Sequence, residues 1–186
     1  MISVRQMKTI EKYLTDEELE LIPSLLGEQV YMIYSPGLHV DANLNMIEAN
    51  SLSLSSKMGF FNFYTSWIDS DEFDYYEMTL SRTDDPFGIT RNQEGLLMAT
   101  SWISITPASA IRKIELFEDS DEFEYADPES ELASVRYDSA FLFTQKDGNE
   151  FLIGVSETIA DLTLFLRDGQ SIREHLRGKG IRRQWK

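Results

Sequence analysis

The sequence predicts an α+β fold, with N-terminal helices, a central antiparallel β-sheet or partly closed barrel, and C-terminal helices. Three observations lead there. Apolar residues recur at helical spacing near both ends of the chain. Between them, short runs rich in β-branched and aromatic residues alternate with turn residues. No helical pattern separates those runs, as a doubly wound parallel sheet would require.

Val4, Met7, Ile10 and Leu14 make the first helical pattern. Thr15 followed by Glu18 has capping-box spacing and predicts a second helix through Leu19 and Ile22. Pro23 kinks or restarts it, because proline lacks the backbone donor that a helix interior needs. The strand runs then follow from Glu28: QVYMIYS, LHVDA, NMIEANSLSLSS, MGFFNFYTSW, DEFDYYEMTLS, GLLMATSWISIT, AIRKIELF and SVRYDSAFLFTQK. Asp147-Gly148 sits between two strand patterns and favours the left-handed angles of a type I′ turn, which predicts a hairpin there. Ser156 is placed to cap a helix carrying Ile159, Leu162 and Leu166, which Asp168-Gly169 would end. A shorter helix carrying Ile172 and Leu176 stops at Gly178.

A chain of 186 residues reads as one domain, 1–186. The weak internal boundary is Thr106-Pro107, where a strand run ends without a Gly/Ser-rich linker. There is no cysteine, which excludes disulfides, thiol nucleophiles and thiolate metal sites. No apolar run approaches the roughly 20 residues that span a bilayer, so a soluble, unprocessed and cytoplasmic protein is expected.

The net charge of −15 is unevenly spread. Residues 172–186, IREHLRGKGIRRQWK, carry six basic groups against Glu174, most of them in the tail 177–186, and this leaves −20 on the first 171 residues. Such a body repels nucleic acid and anionic membranes and attracts basic proteins, so the expected partner is another, basic protein, with no nucleic acid and no membrane. The basic tail is expected to fold back on the acidic body, which no external ligand matches in effective concentration.

One motif occurs twice: DSDEFDY, Asp69 to Tyr75, and DSDEFEY, Asp119 to Tyr125. A calcium loop needs an oxygen ligand at its fifth position and glycine at its sixth. Here those positions hold Phe73 and Asp74, or Phe123 and Glu124, so no metal is assigned. Each copy instead reads as an Asp-Ser-Asp turn leading into a half-buried strand, with rings on one face and carboxylates on the other. The flanking sequences do not match, so this is one local solution used twice.

The second copy sits within residues 115–131, which hold nine carboxylates and no Lys or Arg. That run is either a solvated loop or a docking surface for a basic partner. The candidate partner-binding carboxylates are therefore Asp69, Asp71, Glu72 and Asp74, with Asp119, Asp121, Glu122 and Glu124. Eight aromatics between Phe60 and Tyr76 read chiefly as core, and as a contact surface in the alternative. Phe87, in the long polar connection RTDDPFGITRNQEG (82–95), is a further candidate contact provided it is exposed.

Signs of catalysis are sparse. His39 and His175 are the only histidines, and His39 shares a strand face with Asp41. The sequence contains no nucleophile elbow, phosphate-binding glycine loop or H-E-x-x-H. No catalytic residue and no cofactor is assigned. The function expected is non-enzymatic recognition of a basic protein through an acidic surface, one form being a bacterial immunity or inhibitor protein that neutralises a basic toxin or nuclease. The alternatives are a small carboxylate- or metal-dependent hydrolase and a pleckstrin-homology-like scaffold.

Overall fold

The computed structural model describes residues 8–41, 46–68, 75–99, 101–123, 133–155 and 161–186. It is a mostly β structure of two packed sheets, and this overturns the expected arrangement of helices at both ends of a central sheet or barrel. Thirteen strands are described: β1 (Lys8–Lys12), β2 (Met32–Ser35), β3 (His39–Asp41), β4 (Met46–Ala49), β5 (Ser51–Ser56), β6 (Gly59–Ile68), β7 (Tyr75–Thr83), β8 (Ser101–Ser104), β9 (Ile111–Phe123), β10 (Ala133–Gln145), β11 (Glu150–Val155), β12 (Leu162–Leu166) and β13 (Gly180–Trp185). The α-helices are short: α1 (Asp16–Leu19) and α2 (Gly169–His175), with a 3-10 turn at Ile22–Leu25 after α1.

The larger sheet runs β13-β9-β10-β11-β12-β4-β3, with β1 added in parallel to the first half of β10. The smaller sheet runs β7-β6-β5-β2-β8. One apolar core lies between them, joining Ile33, Leu52, Leu54, Phe61, Phe63 and Leu80 of the small sheet to Ile114, Leu116, Phe141, Phe143, Phe151 and Ile153 of the large one. Phe63 meets Phe141 and Phe143 edge-on across that gap, at ring-centre distances of 5.4 and 6.2 Å.

Of the two helices expected at each end, the first N-terminal pattern, whose Val4 and Met7 lie outside the described residues, and the one carrying Leu162 and Leu166 give way to strands. Ile10 of the N-terminal pattern lies in β1, opposite Val135 of β10. Helical spacing over so few residues is a weak local preference, and the parallel pairing on β10 outweighs it. At the other end, Leu162 and Leu166 belong to β12, whose Leu162 and Leu164 enter the central core while Phe165 faces a second cluster on the far side of the sheet. A strand buried on both faces has no polar alternation, so periodicity alone does not tell it from helix. The proposed cap Ser156 and Ile159 lie outside the described residues.

Other signals hold. Thr15 accepts from the Glu18 N–H while the Glu18 carboxylate accepts from the Thr15 N–H, a full capping box on α1. The β10–β11 hairpin forms as expected, but its turn is not type I′: Gly148 takes φ +88° while Asp147 is not left-handed, and the Gly148 N–H donates to the Gln145 carbonyl. The α2 helix covers the outer face of the large sheet by burying Ile172 against Phe117, Leu142, Leu152 and Phe165. Asp168, expected as a helix stop, is the N-cap of α2. The Thr106-Pro107 join is where the chain leaves the small sheet for the large one.

Candidate functional site

Of the first copy of the acidic motif only Tyr75 is described, as the first residue of β7 in the small sheet, whereas Asp119 to Phe123 of the second belong to β9 of the large one. Asp69, Asp71, Glu72 and Asp74 lie outside the described residues, as does the turn expected there. The second is not a turn: Asp119 to Phe123 are the last five residues of β9, paired with β10 from Ala133 to Tyr137. Long pairing with a neighbouring strand supplies backbone partners that override the turn preference of Asp and Ser. Glu122 lies opposite Ser134 in that register, and Glu124 is outside the described residues.

Asp119 and Asp121 already have internal partners. Lys179 Nζ donates to the Asp119 carboxylate at 2.7 Å, and the Tyr137 hydroxyl donates to Asp121 at 3.2 Å. The rest of the basic tail also turns inward, because β13 lies along β9. Arg182 donates two hydrogen bonds of 2.6 Å to Asp138, a carboxylate only 2% exposed. Arg183 pairs with Asp16 at 3.1 Å, and Gln184 donates to Glu115, which also pairs with Lys113.

Between these groups, Glu118, Asp119, Ser120, Arg136, Gly178 and Gly180 line a polar cleft of about 150 Å³. Tyr13 donates to Glu118 at 2.6 Å, and its hydroxyl is pushed up to about 12, by burial first and then by that carboxylate. This part of the acidic run therefore works as an internal ion-pair and hydrogen-bond network.

The histidines do not join the carboxylates in a cleft. His39 is exposed on the edge strand β3 and lines neither this cleft nor the one between α1 and β7. His175, at the end of α2, is packed against Phe165 with its Nε2 buried and without a hydrogen-bond partner. Burial pushes its pKa down to about 4, helped by nearby Lys179 and opposed by Asp119. Among the described residues no group of three His, Asp or Glu side chains could hold a metal, and no helix is long and apolar enough to cross a membrane.

The small sheet presents a different surface. Its strands β2, β5, β6 and β8 contain no Asp, Glu, Lys or Arg in a chain that is 26% charged. The residues alternating with its core positions form an outer face, where Tyr34 stands opposite Trp102 and meets Phe60 edge-on at 5.7 Å. Part of the 84–99 segment packs on this face. Phe87 stacks on Tyr64 at 4.9 Å, and its N–H donates to Ser53 Oγ and Asn62 Oδ1 at 3.0 and 3.1 Å. Arg91 ties the segment together by bonding Asp85 and the carbonyls of Asp84 and Gly95.

Phe87 nonetheless remains 46% exposed, and Leu96, Met98 and Trp102 are more exposed still. The sequence reading singled out Phe87 but missed Trp102. The signal was present in the 17 residues from Gly95 to Ile111, which carry no charge at all.

No family model, curated protein or solved structure matches the chain.

Proposed function

We propose that this chain is a non-enzymatic protein-recognition module whose partner is basic, with an inhibitor or immunity protein directed at a basic toxin or nuclease as one concrete form. The observation that carries the reading is Phe87. An exposed aromatic residue whose ring is already stacked and whose backbone N–H is shared between the Ser53 and Asn62 side chains loses little freedom on binding, which is the property of an interface anchor. The net charge of −15 supplies long-range attraction for a basic partner. The exposed carboxylate of Asp121, the neighbouring Glu122 and Glu124, and Asp69, Asp71, Glu72 and Asp74 of the first motif remain the candidates for steering. Asp119 is less suited to that role because Lys179 neutralises it. The cysteine-free composition supports a cytoplasmic home.

The test is capture of partners from the native cell by wild type, Phe87→Ala and the charge reversal Asp121→Lys/Glu122→Lys/Glu124→Lys, followed by mass spectrometry. The expected result is one basic protein held by wild type, lost with Phe87→Ala and bound more slowly at low salt by the charge reversal. Retention of every captured protein by both variants would remove the reading.

A further inference from the structure

Edge strands are open templates for pairing, and proteins ordinarily protect them with charge, shortness or a covering group. Among the described residues the two sheets have five edges, and four of them carry charge or a covering group. β1 has Glu11 and Lys12; β13 has Arg182 and Arg183; and β3 is three residues long with an aspartate at its end. On β7, which carries Glu77 and Arg82, the Leu80 N–H is taken by the Glu18 carboxylate at 2.9 Å. The fifth edge, β8, reads Ser-Trp-Ile-Ser; it is short, at four residues, but among the described residues it has neither a charge nor a covering group.

The direction of the free backbone groups follows from the ladder. Ile105 N–H donates to the Tyr31 carbonyl, and Ile103 stands opposite Ile33 in the same register. In an antiparallel pair successive residues alternate in the side to which their N–H and C=O point. The odd-numbered residues of β8 therefore face β2, and Trp102 and Ser104 turn theirs to the open edge. The side chains of both are exposed.

We propose that β8 is a self-association edge, at which two copies of this chain pair antiparallel about a two-fold axis and join their five-stranded sheets into one ten-stranded sheet. Charge selects the occupant. Two bodies of −15 repel each other, and the surface on which they can meet without opposing carboxylates is one free of charge. The uncharged stretch Gly95 to Ile111 together with the uncharged neighbouring strand β2 provides that surface. A basic partner gains nothing from an edge without carboxylates, whereas an uncharged edge is compatible with its own copy. A two-fold axis normal to the sheet keeps outer faces together, so Trp102 pairs with Trp102 or Ser104 of the second copy. The exposed Trp102 ring would then be covered across the seam.

Sedimentation of the full chain over about 1 to 500 µM protein tests this. The expected result is a rise from 21.5 kDa toward twice that mass, with the dimer strengthened when salt is raised from roughly 50 to about 500 mM, because screening weakens the repulsion. Binding of a basic partner weakens with the same salt, so the two readings fail separately. Trp102→Lys and Ser104→Lys, each checked for an unchanged melting curve, should raise the dimer dissociation constant by about tenfold or more. A mass of 21.5 kDa at every concentration and salt, or a dimer that both variants leave intact, would overturn the proposal.

Discussion

Arg182 of the last strand grips Asp138 near the middle of β10 through two hydrogen bonds of 2.6 Å, although the two residues are 44 positions apart. The backbone N–H of Leu14 adds a third bond to the same carboxylate at 2.8 Å, and the Arg182 guanidinium lies 4.4 Å from the centre of the Tyr13 ring. Burial pushes the Asp138 pKa up, while Arg182 and Leu14 act against that push. This cluster ties the N-terminal segment, β10 and the C-terminal tail together.

Removing both partners should therefore cost less than the two single removals added together. Arg182→Ala leaves a buried carboxylate with its main counter-charge gone, a change that typically costs about 3–5 kcal/mol. Arg182→Ala/Asp138→Ala loses the ion pair without stranding a charge, and should be less destabilised than the sum of the two single variants. Urea unfolding of the four proteins gives the coupling directly. Additive losses would mean that the pair is not energetically linked.

The pH dependence of stability should carry a signature of His175. Its folded pKa of about 4 lies below the ordinary 6.5, so between those values the unfolded chain binds a proton that the native chain does not. Stability therefore falls as pH drops through that window, by roughly 1.4 kcal/mol per unit and about 3 kcal/mol in all. Carboxylates titrate near the lower end as well, so the measurement is the difference between wild type and His175→Gln across pH 7 to 4.5. That difference should shift steadily in favour of the variant on acidification. Parallel curves would show that His175 is not the group responsible.

How much of this was legible beforehand depends on whether the signal was local. The capping box at Thr15 and Glu18, the Asp147-Gly148 turn and the α2 helix are settled within a few residues, and all three were readable. The identity of β1 and β12 is set by distant partners, β10 for the first and β11 with β4 for the second. The run NMIEANSLSLSS reads as one strand, but Asn50 divides it into β4 of the large sheet and β5 of the small one. Charge led attention toward the acidic run, whose members Glu115, Glu118 and Asp119 proved to be matched by Gln184, Lys113, Tyr13 and Lys179. The uncharged stretch around Trp102 was equally visible and drew no notice.

Glu18 performs two tasks, and its loss should show both. One carboxylate oxygen closes the capping box on Thr15, and the other holds the Leu80 N–H at the edge of β7. An N-terminal capping interaction is worth about 1 kcal/mol, and an unsatisfied strand N–H adds about the same or more. Glu18→Ala should cost roughly 2 kcal/mol in urea unfolding, with faster amide exchange at Leu80. A loss confined to α1, with Leu80 exchange unchanged, would show that the strand contact contributes nothing.

Gly154 and His175 should prove to be a matched pair. A Cβ added at Gly154 would stand 2.5 Å from His175 Nε2, with Leu152 and Ala140 side-chain atoms at 3.2 and 3.3 Å, so the bare backbone there is what lets the imidazole settle against β11. Overpacking of this kind typically costs 1–3 kcal/mol, here about 2 kcal/mol for Gly154→Ala. If the clash with the ring dominates, His175→Ala should make room, and Gly154→Ala should cost less than about 1 kcal/mol in that background. An equal loss in both backgrounds would place the strain on Leu152 and Ala140 instead, since their contacts remain when the imidazole is removed.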